Sequence, residues 1–580
     1  MASLAEKRHT LAHLLAAAVA ERYPHAKTTI GPAIDNGFYY DFDFSGGEKP
    51  GDADLAAVES SMRDMLTSWN EMTGTEVSEK DARDRFKNNE YKLELIDEIV
   101  GKSEPITLYV AGGFTDLCRG GHSENPARDI DADSFALDRI AGAYWRGDEK
   151  KPQLTRIYGL AFDTKEELAA YRLQQEEAKK RDHRKLGKEL DLFAFSDLVG
   201  PGLPLFTPRG TVLRDEIHTY SQELRKARGY ERVWIPHITK TELYKKSGHW
   251  DKFGHELFLV KSQETDDDFV LKPMNCPHHI QLYASRPRSY RDLPLRYMET
   301  TTVYRDEKTG ELSGLSRVRA ITQDDTHVFC RQDQIEAEYS TIMEMVVAFY
   351  KTVGMGFRAR LSFRDPATPE KYLGDAALSE MAEEKLEEIA KSGGFEYFVA
   401  PGEAAFYGPK IDFMATDAIG REHQLATAQL DFVQPARFQI EYTDTDGSPK
   451  TPVMIHLAIA GSLERFLSVY IEHTAGAFPT WMSPVQARVL PVSEKHNEYG
   501  QSVVSVLKNA GVRADMDDAN ESLGKKIRNG KTEKIPYLLV VGDKEAGDGS
   551  VTVESRTEKI GAMPTADFLT RIQKEIQERA

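Results

Sequence analysis

Three side chains scattered through the middle of the sequence have the chemistry of a metal site. Cys276, in Lys272-Pro273-Met274-Asn275-Cys276-Pro277, and the distant His327 and His456 offer one sulfur and two nitrogen donors. Such a set leaves the fourth position of a tetrahedral zinc open, as in a site that binds a reactant. The separations match no short zinc-finger pattern, and a lone buried Cys or His is more often core. A second set lies near the start. His9 and His13 have the i, i+4 spacing of one helix face. Cys118 and His122 share that spacing, but Gly120 and Gly121 between them favour a loop. By chemistry alone these four read as a zinc hydrolase site. Near the end, Lys525, Lys526 and Arg528 begin a helix, where cations oppose the helix dipole. They are expected to face an anion, a solvated basic turn being the plainer alternative.

The elements that must hold these groups follow from pattern. A helix is predicted from Leu4 to Arg22, stopped by Pro24. Alternating aromatics from Phe38 to Phe44 predict a strand. The polar stretch from Thr164 to Gly187 predicts a solvated linking helix, whose basic second half could touch RNA phosphates. Leu213, Ile217, Tyr220 and Leu224 form one helix face, ended by Gly229. Tyr230 to Ile238 is predicted as a strand, at an edge because of Pro236. Two antiparallel strands are expected within Leu295 to Phe329, with more around Ile411–Phe413 and Gln429–Phe432. A helix with Leu463, Phe466, Leu467, Tyr470 and Ile471 as its apolar stripe follows His456. From Val485 the alternation turns to βαβαβ, a separate small domain with a parallel sheet.

Composition sets the limits. The 580 residues are 40% hydrophobic and 29% charged, a globular balance of about four domains. No apolar run approaches the roughly 20 residues that cross a bilayer, so no membrane role is expected, and no secretory signal is evident. Three cysteines, an odd and sparse number, point to a reducing cytoplasm without a disulfide framework. The net charge of -18 counts against a nucleic-acid partner, so RNA binding must rest on local basic patches.

Val303-Tyr304-Arg305-Asp306-Glu307, Gly461-Ser462-Leu463-Glu464-Arg465-Phe466 and the helix–strand pair from Gly210 to Pro236 resemble the three signature motifs of class II aminoacyl-tRNA synthetases. The finer resemblance is to bacterial threonyl-tRNA synthetases. It rests on the segment around Cys276, Thr322-Gln323-Asp324-Asp325, Phe406-Tyr407-Gly408-Pro409-Lys410-Ile411 and the stretch around His456. Gly31-Pro32, Ile34 to Asp41 and Arg181 to Gly187 extend it over essentially the whole chain. The family implies an α/β multidomain fold: an antiparallel catalytic sheet flanked by helices (187–484), an N-terminal α+β editing domain (1–162), a linker helix (163–186) and a C-terminal α/β anticodon-binding domain (485–580). A further small β-rich module that many members carry at the front is not expected.

The resemblance also implies roles. Threonine is activated by ATP with Mg2+ and passed to tRNA(Thr) through a threonyl-adenylate. Arg305 would hold the α-phosphate, Arg465 the γ-phosphate, and Arg317 a further phosphate. Lys410 would act near the α-phosphate or carboxylate, and Glu307 would place the adenine. Gly461, one helical turn before Arg465, would let the nucleotide approach the backbone. Cys276, His327 and His456 would hold Zn2+, with Asp325 on the threonine hydroxyl and Gln323 and Tyr407 at its amino end. Met274 and Gln424 complete the substrate-binding set. A zinc ion has a purpose here, because a plain pocket separates near-isosteres such as threonine and valine only about 100-fold. Serine keeps the hydroxyl and differs by one methyl, so a second sieve is expected. His9, His13, Cys118 and His122, with Lys92 and Asp116, would hydrolyse Ser-tRNA, preferably without a metal. Glu521 and Arg528 would read anticodon bases.

Three positions depart from the family pattern. His278 stands where glycine is usual, Gly121 where proline is common, and Leu457 where arginine is frequent. The change at Gly121 is expected to loosen the editing loop. A cytoplasmic homodimer joined through Thr211 to Ile238 is expected. The alternatives are a non-catalytic synthetase-like RNA-binding regulator and, less consistent with the length, a stand-alone deacylase.

Overall fold

The computed structural model describes residues 2–148, 150–374 and 376–580. The chain divides into two compact units, Met1–Glu177 and Ala178–Ala580, with the division inside helix Lys165–Arg181.

In the first unit, helix Leu4–Arg22 starts where Ser3 and Glu6 close a reciprocal capping box. It buries Leu11, Leu14, Leu15 and Val19 against Phe38, Tyr40 and Phe42 of strand Gly37–Asp43. Alternation sends Tyr39 and Asp41 to the opposite face, where Arg156 pairs with Asp41 and lies over the Tyr39 ring. The strand belongs to an antiparallel sheet with Lys27–Thr28, Gln153–Ala161 and Phe135–Tyr144. A smaller sheet pairs Thr73–Glu76, Thr107–Ala111 and Phe114–Leu117.

The second unit is built on an eight-stranded sheet. Its central strands are Leu295–Tyr304, Ala320–Cys330, Val453–Ser462, Glu422–Asp431, Lys410–Thr416 and Gly356–Phe363, each antiparallel to the next. Only the outer strands Glu231–Arg232 and Tyr397–Pro401 pair in parallel. Helices Pro208–Lys226, Ile335–Thr352 and Leu463–Thr474 bury Leu213, Val346, Phe349 and Phe466 with Val328, Ile455, Leu457 and Ile459 of the sheet. One face of Ala320–Cys330 is thereby committed. Asp324 reaches back to Ser221 and Arg225 of the first of these helices. Gln323, Asp325 and His327 must then project from the other face, since side chains alternate.

Two expectations are corrected. Tyr230 to Ile238 is not one strand. Glu231–Arg232 lies at the sheet edge, the chain leaves at Pro236, and Ile238–Lys240 joins a separate three-stranded sheet. Proline lacks the N–H a continuing ladder needs. The C-terminal sheet is not wholly parallel. Ala487–Pro491, Ala514–Met516 and Tyr537–Val541 run parallel, but Ser550–Ser555 and Lys559–Pro564 add an antiparallel hairpin. Among the described residues no helix is long and apolar enough to cross a membrane.

Candidate functional sites

His327 and His456 face each other across adjacent strands, in direct register. Their ring atoms Nε2 and Nδ1 are 3.0 Å apart. Cys276 begins helix Cys276–Ala284 and brings its thiol to the same point. The three donor atoms lie within 4.8 Å of one another, and all three residues are buried. The donor set fits a zinc ion. Asp431 accepts the Nε2–H of His456 at 2.8 Å, which turns the Nδ1 lone pair inward. Burial, with His279 and His456 alongside, holds His327 as a neutral imidazole. Burial, reinforced by Asp325 and Asp431, pushes the Cys276 thiol up, so its thiolate needs a cation nearby. Asn275 donates to Asp325 at 2.8 Å, and the Tyr407 ring packs against His456.

The remaining residues expected here separate into free and committed groups. Arg305 and Arg465 have no carboxylate partner among the described residues. Arg317 does: it is tied to Glu307 at 2.6 Å and to Glu311 at 2.5 Å. Lys410 pairs with the buried Asp412 at 2.8 Å, and Gln424 donates to the same carboxylate at 2.7 Å. These two form a cluster of their own with Arg360 and Thr427. The Met274 carbonyl accepts from Tyr244. Gly461 is not on the helix with Arg465. It lies near the end of strand Val453–Ser462 at φ +71°, and Ser462 caps the helix that starts at Leu463. A Cβ at Gly461 would stand 2.4 Å from the Leu425 carbonyl oxygen.

The second cluster sits wholly within the first unit. His9, His13, Cys118 and His122 place their donor atoms within 4.8 Å of one another. Cys118 and His122 lie outside regular structure, as their glycines suggest. The Cys118 sulfur is 3.1 Å from His122 Nε2 and 3.6 Å from His9 Nε2. Burial alone would raise that thiol, but hydrogen bonds from His122, His13 and His9 outweigh it and bring it down to about 3. Burial pulls His13 down, yet Asp116 and Cys118 win and raise it to about 9. The two shifts run in opposite directions and both favour a thiolate beside an imidazolium. Asp116 also accepts from Lys92 at 2.5 Å and Tyr40 at 2.6 Å. His9, His13, Tyr40, Lys92, Asp116 and Cys118 line a cavity of about 340 Å³. Gly121 stands at φ +82°, a backbone value closed to proline.

At the C-terminal basic turn, Lys525 pairs with Glu521 at 2.5 Å and Lys526 is buried, donating to the Pro491 carbonyl at 3.1 Å. Lys526 thus faces no open anion site, whereas Lys525 and Arg528 are exposed. Sequence reasoning missed Tyr40, His249, His279, Glu299 and Asp431. His249 Nε2 is 4.0 Å from the Cys276 sulfur, and its Nδ1 is 2.7 Å from Ser247. A signal existed for His279, which follows Cys276 by three residues, on one helix face. None existed for Asp431, which meets His456 only through strand pairing.

Residues 258–474 match the family described as tRNA synthetase class II core domain (G, H, P, S and T), and residues 486–575 match the anticodon binding domain family. A threonine–tRNA ligase of Gloeobacter violaceus is 47% identical over 583 residues, covering 99% of this chain and 92% of that protein. Another, from Thermus thermophilus, is 46% identical over 589 residues, covering 99% of this chain and 88% of the relative. Among solved structures, the RNA binding domain of threonyl-tRNA synthetase from Cryptosporidium parvum Iowa II aligns with a TM-score of 0.65 at 36% identity. It covers 68% of this chain and 98% of that one.

Proposed function

The chain belongs to the threonine–tRNA ligases, which are class II aminoacyl-tRNA synthetases, and from that premise we propose how its two clusters divide the work. Its partners are ATP, threonine and tRNA. In our reading the carboxylate of threonine attacks the α-phosphate of ATP, accompanied by Mg2+, and the threonyl group then passes from the adenylate to tRNA(Thr). Charge grows on phosphoryl oxygens in the first step, so uncommitted cations are needed there. Arg305 and Arg465 have no carboxylate partner among the described residues, which supports their roles at the α- and γ-phosphates. Arg317 would orient Glu307 toward the adenine as well as neutralise phosphate. Asp412 would aim Lys410 and Gln424, and Gly461 would let the nucleotide lie close to the backbone.

The observation that carries the reading is the convergence of Cys276, His327 and His456, with the His456 lone pair turned inward by Asp431. When bound there, zinc would accept the amino and hydroxyl groups of threonine as ligands, a pair that valine cannot supply. Asp325, held by Asn275, would take the hydroxyl proton in a hydrogen bond, and Gln323 and Tyr407 would border the amino group. Met274 would close the pocket wall.

In the first unit, His9, His13, Lys92, Asp116, Cys118 and His122 would bind the seryl ester and a water for hydrolysis of Ser-tRNA(Thr), a metal-free reaction. The apposed thiolate and imidazolium support this, since they already neutralise each other. Residues 485–580 would bind the anticodon, with Arg528 and Glu521 at the bases. Exposed Trp234 and Ile238 support a homodimer through Thr211 to Ile238, working in the cytoplasm. The deciding experiment is threonine-dependent ATP–pyrophosphate exchange with zinc analysis on the full chain and on Cys276→Ser. The variant should lose both. Exchange that persists in a zinc-free variant overturns the assignment.

A further inference from the structure

We infer that His279 and Glu299 are positioning residues that hold His327 in the tautomer able to offer its Nε2 lone pair to the metal. The inference rests on the zinc reading above and extends it to residues outside the three donors.

His279 follows Cys276 by three residues on the same helix and is fully buried. Its Nδ1 is 2.7 Å from Nδ1 of His327, and the two rings stand at 89°. Its Nε2 is 3.6 Å from Oε2 of Glu299, and neither atom has a hydrogen-bond partner. The other Glu299 oxygen accepts from the backbone N–H of Ile235 at 3.1 Å. A chain of groups therefore runs from Glu299 through His279 and His327 to His456 and Asp431.

Proton accounting gives this chain two registers, because facing ring nitrogens share one proton. Asp431 takes the Nε2–H of His456, so His456 Nδ1 presents a lone pair to His327 Nε2. In the first register His327 donates from Nε2 to that lone pair. Its Nδ1 then accepts from His279, and His279 Nε2 turns a lone pair toward the Glu299 carboxylate. Two buried acceptors face each other. In the second register His327 carries its proton on Nδ1 and donates to His279. The His279 proton sits on Nε2 and points at Glu299. No two acceptors then face each other, the His279 Nε2–H lies toward the Glu299 carboxylate at 3.6 Å, and the two lone pairs of His327 and His456 are left for a cation. The Glu299 carboxylate favours the second register at a distance, through His279. Outer partners of this kind change metal affinity about 10–100-fold.

The test is zinc affinity of the full chain, by competition with a chromophoric chelator, with the visible spectrum of the cobalt-substituted protein as a second readout. Glu299→Gln keeps the volume, yet either amide orientation sets an N–H against a donor, Ile235 N–H or His279 Nε2–H. It should bind zinc about 10–100-fold more weakly. His279→Leu should fall by a similar factor, whereas His279→Asn restores an acceptor near Nδ1 and should retain most of the affinity. If His279→Leu does not fold, the two amide variants still decide. Parental affinity in Glu299→Gln, or equal loss in His279→Asn and His279→Leu, overturns the inference alone. A parent chain that binds no zinc overturns it together with the reading beneath it.

Discussion

At the scale of single residues, the same side chain does opposite things in the two clusters because its neighbours differ. Cys276 is ringed by burial and carboxylates, which keep its proton on. Cys118 is ringed by imidazole donors, which take it off. The thiolate is the reactive form, so a thiol held near 3 is ionised throughout pH 5 to 9. Alkylation of Cys118 by iodoacetamide, followed by mass spectrometry, should be flat over that range. An ordinary thiol slows about tenfold per unit below roughly pH 8.5. His13→Ala removes one of the donors and should restore a slope. A tenfold-per-unit slope in the parent chain would sink this account. Residue types were enough to mark Cys118 and Cys276 as reactive candidates. Their opposite ionisation was not legible, because it depends on groups brought together only by folding.

At the scale of elements, two glycines hold junctions in the left-handed backbone region. Gly461 ends a strand at φ +71° against the Leu425 carbonyl, and Arg465 follows in the first turn of the next helix. Gly461→Ala should cost about 1–3 kcal/mol from the left-handed backbone alone. A displacement of Arg465 by about 1 Å would slow exchange about 100-fold. Urea melts and exchange rates measure the two effects, and wild-type values for both would contradict the junction argument. Gly121 is the second case. At φ +82° it excludes proline, so Gly121→Pro should unmake the loop carrying Cys118 and His122. Deacylation of Ser-tRNA should fall while exchange stays near parental, and full deacylation by this variant would refute it. Periodicity was a good guide to the first helix, which spans Leu4–Arg22 as expected. It misplaced Gly461 because spacing from Arg465 suits either a helix or the strand before it.

At the scale of the whole molecule, the units have separate cores and carry separate clusters. The first holds Leu11 to Val19 against Phe38, Tyr40 and Phe42, and keeps every residue of its cluster to itself. A fragment of residues 1–177 should therefore fold alone and deacylate Ser-tRNA. Failure to show a cooperative melt by circular dichroism would count against this independence. The second unit is stitched more tightly. Arg488 binds both Asp515 and Glu533, Glu533 reaches Arg209, and Arg513 binds Glu216 on the same long helix as Arg209. The C-terminal domain is thus anchored to the helix whose Ser221 and Arg225 hold Asp324, between Gln323 and Asp325.

The sequence by itself determined the class of chemistry and its cast. Motif residues, turn glycines and periodicities are local properties, readable without knowing what packs where. Cys276, His327 and His456 could be named as a set through the motifs around them, since their own separations match no zinc pattern. Only the tertiary structure decided which groups complete them. Asp431, His279 and Glu299 meet these residues through strand register and helix docking, and Lys526 turns inward to a carbonyl although its charge suggested an anion. Partnership between buried polar groups is a matter of distance in space, and residue order along the chain does not encode that distance directly.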